Sequence, residues 1–129
     1  MDSRVYDGSS SVEAIELTRS GRKEIYAPVE KIKIIEVANF PKLGKLTALR
    51  FIEWAVKNPG GVISLPTGKT PEHFIKWLTR ILERWDTKEI QKLLGDYGIE
   101  VSRRPDMKSL SFVQIDEFYP MDSSQQNSF

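Results

Sequence analysis

The chain has 129 residues, the length of one domain or part of one, and is 40% hydrophobic and 29% charged, a balance that lets a soluble protein bury a core. Its 19 Lys and Arg against 18 Asp and Glu leave a net charge of +1, which gives no electrostatic case for a nucleic-acid or anionic-membrane partner. With no cysteine, no apolar run of about 18 residues and no basic-then-apolar opening, disulfides, thiolate chemistry, a membrane span and a secretory signal are all unexpected, so a cytoplasmic location is expected.

Residues 1–30 read as a polar arm, with the Gly8-Ser9-Ser10-Ser11 cluster and a Ser20-Gly21-Arg22-Lys23 turn; between these, Val12, Ile15 and Leu17 allow one amphipathic helical turn or two. Lys31-Ile32-Lys33-Ile34-Ile35-Glu36-Val37 is β-branched and partly alternating, so a strand is expected there, closed by Asn39-Phe40-Pro41. Over residues 43–57, Leu46, Leu49, Ile52, Trp54, Ala55 and Val56 recur at mostly helical spacing before the stop Asn58-Pro59-Gly60-Gly61. Val62-Ile63-Ser64-Leu65 is a short apolar run of the kind found in buried parallel strands.

A helix is expected next, with Thr70 as cap and Pro71 as first helical residue, carrying the stripe Phe74, Ile75, Trp77, Leu78, Ile81, Leu82 and Trp85. A weaker helical stretch covers residues 87–94 and stops near Gly95 or Gly98; Arg103-Arg104-Pro105-Asp106 is loop, and Ser111-Phe112-Val113-Gln114-Ile115 is a further strand. The order strand, helix, strand, helix, helix, strand predicts an α/β fold: an open, mostly parallel sheet with helices on both faces. Such sheets hold more strands than this chain supplies, so an N-terminal fragment of a larger domain is expected.

Two constellations carry chemistry. Leu65-Pro66-Thr67-Gly68-Lys69-Thr70-Pro71 joins a strand end to a helix start, where free backbone amides and the helix dipole favour an anion. Gly68 lets backbone approach a phosphate, the hydroxyls of Thr67 and Thr70 can donate, and Lys69 adds a full charge. A Walker A loop is excluded because its first glycine would fall at position 63, which is Ile63. The plainer reading of the same residues is an ordinary capped turn. Asp116 and Glu117 follow the last strand on the same sheet edge, where paired carboxylates can serve as general bases; the plainer reading there is a solvated acidic turn. His73, the single histidine, reads as a capping or surface residue, Phe74, Trp77 and Trp85 read as core, and Lys42, Lys45 and Arg50 make no basic patch of nucleic-acid size.

Residues 65–71 (LPTGKTP) and 114–129 (QIDEFYPMDSSQQNSF) together resemble the glucosamine-6-phosphate deaminase/isomerase family, whose members carry a Leu-Pro-Thr-Gly-x-Thr-Pro loop followed by an Asp-Glu-Tyr element. The resemblance covers roughly residues 60–129 and implies a Rossmann-like sheet formed by residues 31–129. It implies that Thr67, Gly68, Lys69 and Thr70 line the substrate's phosphate site. Asp116 would move the proton between C2 and C1, with Glu117 beside it as a supporting acid. The implied reaction converts glucosamine 6-phosphate and water to fructose 6-phosphate and ammonia, with no cofactor and no metal. The implied partner is a small sugar phosphate, with self-association left open.

The chain departs from the family pattern at Lys69, where glycine is common, at Phe118, where tyrosine is usual, and at Gln125-Gln126-Asn127 in place of a His-Pro stretch. The family's downstream ring-opening histidine has no counterpart here, so these residues alone are expected to lack turnover. Two rivals stand beside this reading. One is a 6-phosphogluconolactonase-like hydrolase, against which Thr67, Thr70 and Phe118 argue; the other is a non-catalytic sugar-phosphate sensor.

Overall fold

Asn39 opens the longest helix among the described residues. It stands in extended conformation (φ −162°, ψ 172°) and its side-chain oxygen accepts from the amide of Lys42 at 2.9 Å, satisfying one of the donors that a helix start leaves unpaired. In the computed structural model, which describes residues 9–20, 35–66, 69 and 71–114, this cap begins a helix three residues before the apolar pattern does. The elements in chain order are α1 (Ser11–Ser20), α2 (Phe40–Lys57), β1 (Val62–Leu65), α3 (Glu72–Glu83), α4 (Lys88–Asp96), a 3₁₀ turn (Met107–Ser109) and β2 (Ser111–Gln114).

The core forms where α2 lays one face on α3. Ala48, Leu49, Phe51, Ile52 and Ala55 of α2 are buried, and so are Phe74 and Ile81 of α3. Phe51 and Phe74 meet edge to face with ring centroids 5.7 Å apart, an arrangement that contributes about 0.5–1.5 kcal/mol beyond area burial. α2 stops at Asn58, whose amide bonds back to the Trp54 carbonyl (2.9 Å), and Gly60 takes the left-handed φ of 75° that the turn into β1 needs. Trp85 lies just past α3 and is buried, its indole N–H donating to the Val101 carbonyl at 3.0 Å. Ile90 and Leu94 of α4 complete this side of the core, behind a Thr87 cap that accepts from the Ile90 amide.

β1 and β2 pair in parallel, with Val62 opposite Ser111 and Leu65 opposite Gln114. The connection between them runs through α3, α4 and the 3₁₀ turn, which makes the described protein an α/β structure with a parallel sheet. No helix among the described residues is long and apolar enough to cross a membrane.

Several expectations change. Ile35, Glu36 and Val37, the described part of the first expected strand, form no strand: the sheet among the described residues has two strands, and these three residues have no place in its ladder. The other four residues of that segment, 31–34, lie outside the described residues. Pro71 is the N-cap of α3 rather than its first helical residue, at φ −85° and ψ 11°, with its carbonyl accepting from Ile75 at 2.9 Å. Residues 11–20 form a helix of ten residues, with Val12 fully buried and Leu17 nearly so, where the sequence allowed a turn or two.

Leu49 is fully buried at the centre of this packing. Leu49→Ala is expected to cost about 2–5 kcal/mol, read as a lower midpoint in urea denaturation with an unchanged slope.

Candidate functional site

The end of β1 and the start of α3 frame the expected phosphate loop. Leu65 ends the strand, Pro66 follows half-buried, Lys69 is exposed, and Pro71 is buried under the first turn of α3. The Lys69 carbonyl accepts from the Glu72 amide at 3.0 Å, a bond that turns the chain into the helix. Thr67, Gly68 and Thr70 lie outside the described residues, as do Asp116 and Glu117. The structure therefore positions Lys69 among the expected phosphate-site residues and the two strand ends from which both motifs depart. Leu65 and Gln114 are register partners in a parallel pair, so the chain leaves β1 and β2 at the same sheet edge, on strands spaced by about 4.8 Å.

Charge at this edge is partly spoken for. Glu72, in the first turn of α3, is bonded to Lys76 at 2.9 Å. That hydrogen bond and the Lys76 charge hold its carboxyl below the usual glutamate value, with His73 and Lys69 adding to the effect. Lys69 itself makes no ion pair among the described residues. Of the other basic residues, Arg50 is engaged with Glu13 and Glu53, and Lys45 sits over the Trp77 ring at 5.1 Å.

Beside the loop lies a cleft of about 950 Å³ between α2, β1 and the start of α3. Leu43, Phe51 and Trp54 wall it on one side and Val62, Ile63 and Leu65 on another, with Lys69 and His73 at the loop end. The wall is apolar where a sugar's hydroxyls would need partners, so the cleft does not itself read as a sugar pocket. Among the described residues no group of three His, Asp or Glu side chains has the geometry to hold a metal ion.

What fixes the loop-bearing end of α3 is Gly44. A Cβ added there would overlap the His73 side chain at its Cβ and come within 2.6 Å of the His73 carbonyl carbon and 2.7 Å of the Phe74 amide nitrogen. The two helices thus touch backbone to backbone at the first turn of α3. The sequence signal for this was a glycine inside an otherwise helical pattern, which marks either a weak helix or a close approach. His73, read as a surface or capping residue, is half-buried in this contact instead.

No protein-family model, curated protein or solved structure matches the chain.

Gly44→Ala is expected to destabilise the protein by about 1–3 kcal/mol although alanine favours helix, because the new methyl meets backbone that cannot rotate away. Gly95→Ala in α4, where an added Cβ meets nothing within 4 Å, is expected to gain about 0.5–1 kcal/mol. Paired urea denaturation curves check both.

Proposed function

We propose that this chain carries the phosphate loop and the base of a sugar-phosphate isomerase/deaminase of the glucosamine-6-phosphate deaminase type, built on an open, Rossmann-like parallel sheet in the cytoplasm. The supporting observation is the register: Leu65 opposite Gln114 on parallel strands, which ends β1 and β2 at the same edge of the sheet. In open α/β sheets ligands bind outside the carboxyl ends of the strands.

In this reading Lys69, with Thr67, Gly68 and Thr70, holds the 6-phosphate at the start of α3, where the helix dipole adds to the attraction. Anchoring the phosphate fixes C1 and C2 of the open-chain sugar relative to the β2 side of the edge. Asp116 takes the proton from C2 and returns it at C1. The nitrogen-bearing C2 then becomes an imine carbon, which water hydrolyses to the ketone and ammonia. Glu117 serves beside it as a supporting active-site acid. No cofactor, metal, nucleic acid or membrane enters this chemistry.

The test uses the longest polypeptide that contains these residues. Ammonia and fructose 6-phosphate release from glucosamine 6-phosphate is expected, and Asp116→Asn is expected to reduce it by about 10²–10⁴ with the fold intact. Lys69→Gln is expected to weaken binding of glucosamine 6-phosphate by about tenfold in titration calorimetry. Hydrolysis of 6-phosphogluconolactone without ammonia release would move the assignment to the lactonase, and sugar-phosphate binding with neither activity would move it to a sensor.

A further inference from the structure

Glu53 is the one buried carboxylate among the described residues, 4% exposed on the face of α2 that meets α1. Its environment is built to receive a negative charge. The Ser10 hydroxyl donates to Oε2 at 2.6 Å and the Ser11 amide to Oε1 at 2.7 Å, with the Ser11 hydroxyl 3.0 Å from Oε1 and 2.9 Å from the Tyr97 carbonyl. That last hydroxyl has a single hydrogen to give to one of the two acceptors. Arg50 and Lys57, from the same helix as Glu53, stand 3.7 Å away.

These donors belong to the start of α1. Ser10 caps the helix, its hydroxyl accepting from the Glu13 amide at 3.1 Å, and Glu53 closes the cap from outside by taking the Ser11 amide. Arg50 Nε also bonds Glu13 at 3.0 Å, so one guanidinium ties both carboxylates. At the far end of α1, the Tyr97 hydroxyl donates to Glu16 at 2.9 Å and Arg19 lies over the Tyr97 ring at 4.8 Å. Against these polar ties, α1 buries two apolar side chains, Val12 and Leu17, where α2 alone buries five, Ala48, Leu49, Phe51, Ile52 and Ala55.

We propose that α1 is a detachable clasp, held on α2 by the ionised carboxylate of Glu53 and released when that charge is removed. An element with little apolar burial opens at a lower free energy than the core it rests on, so it can come away alone. Protonation would place an O–H among donors, of which the Ser11 amide cannot accept in return, and would remove the charge that Arg50 and Lys57 face. Burial pushes the Glu53 carboxyl up, but the Ser10 hydroxyl, the Ser11 amide and hydroxyl and the Lys57 charge together hold it below the ordinary glutamate value. A depressed carboxylate contributes stability above its unfolded value and loses it as pH falls through the folded one, so the clasp opens on the acid side. Arg50 also borders the apolar cleft, so opening frees a guanidinium there.

Hydrogen exchange on the whole chain tests this, with wild type and Glu53→Gln compared at neutral pH and wild type followed into acid after correction for intrinsic rates. In Glu53→Gln, amides of α1 are expected to lose protection by at least about tenfold while those around Ile52 and Ile81 keep theirs. Wild type is expected to show the same local loss below the ordinary glutamate value, and the variant none. Ser10→Ala, which keeps the carboxylate but removes a donor, is expected to move the acid midpoint upward. Unchanged α1 protection in Glu53→Gln, loss of α2 and α3 together with α1, or an unmoved midpoint in Ser10→Ala would each overturn the proposal.

Discussion

Two helices cannot touch backbone to backbone unless one of them offers no side chain at the crossing, and α2 offers Gly44 against His73 and Phe74. That contact sets how near the first turn of α3 lies to α2, and the rest of the packing is arranged around it. Phe51 can reach Phe74 edge to face because the axes are close there, and Leu49 and Ile52 are sealed because α3 covers them. A side chain at 44 would lever the helices apart at the end that carries the loop, so the same residue governs core density and loop position.

The loop end of α3 is tied to the sheet by the chain itself. β1 leads through Pro66 and Lys69 to Pro71, and the Lys69 carbonyl and the Pro71 carbonyl each accept an amide of the first helical turn. β2 returns beside β1 in parallel after α3 and α4. A parallel pair brings both carboxyl ends to one edge by construction, so any loop after β1 and any acid after β2 start out as neighbours. Gly44 then determines how the helix on one side of that edge is seated.

Much of this frame was legible because apolar periodicity is a property of neighbouring residues. α2, β1, α3, α4 and β2 all lie where the apolar spacing put them, with ends moved by caps such as Asn39 and Pro71 that depend on backbone angles rather than on hydrophobicity. α1 was under-read for the opposite reason. Its apolar stripe is sparse, and what holds it is a carboxylate 43 residues away in sequence and a tyrosine 86 residues away, neither of which leaves a local signal. Nothing in the residues around Glu53 signals its burial, which depends on Ser10 and Ser11 arriving from elsewhere. Ile35, Glu36 and Val37 were over-read, because β-branched residues state a preference for a strand but cannot supply its partner. Of the candidate site, Lys69 and the two strand ends are described, and Thr67, Gly68, Thr70, Asp116 and Glu117 are not.

How the protein distributes its cations bears on what the loop is for. Arg50 and Lys57 serve Glu53, Lys76 serves Glu72, Arg80 serves Glu89, and Lys45 rests on Trp77. Each of these charges would have to leave a protein partner to meet a ligand, at the cost of the contact it breaks. Lys69, like Lys42, Lys88, Lys92 and Lys108, makes no ion pair among the described residues, and the carboxylate nearest to it in sequence, Glu72, is bonded to Lys76 while feeling the Lys69 charge at longer range. An ammonium held at a strand-to-helix turn, with its local acid bonded elsewhere, can accept an anion without breaking an internal pair.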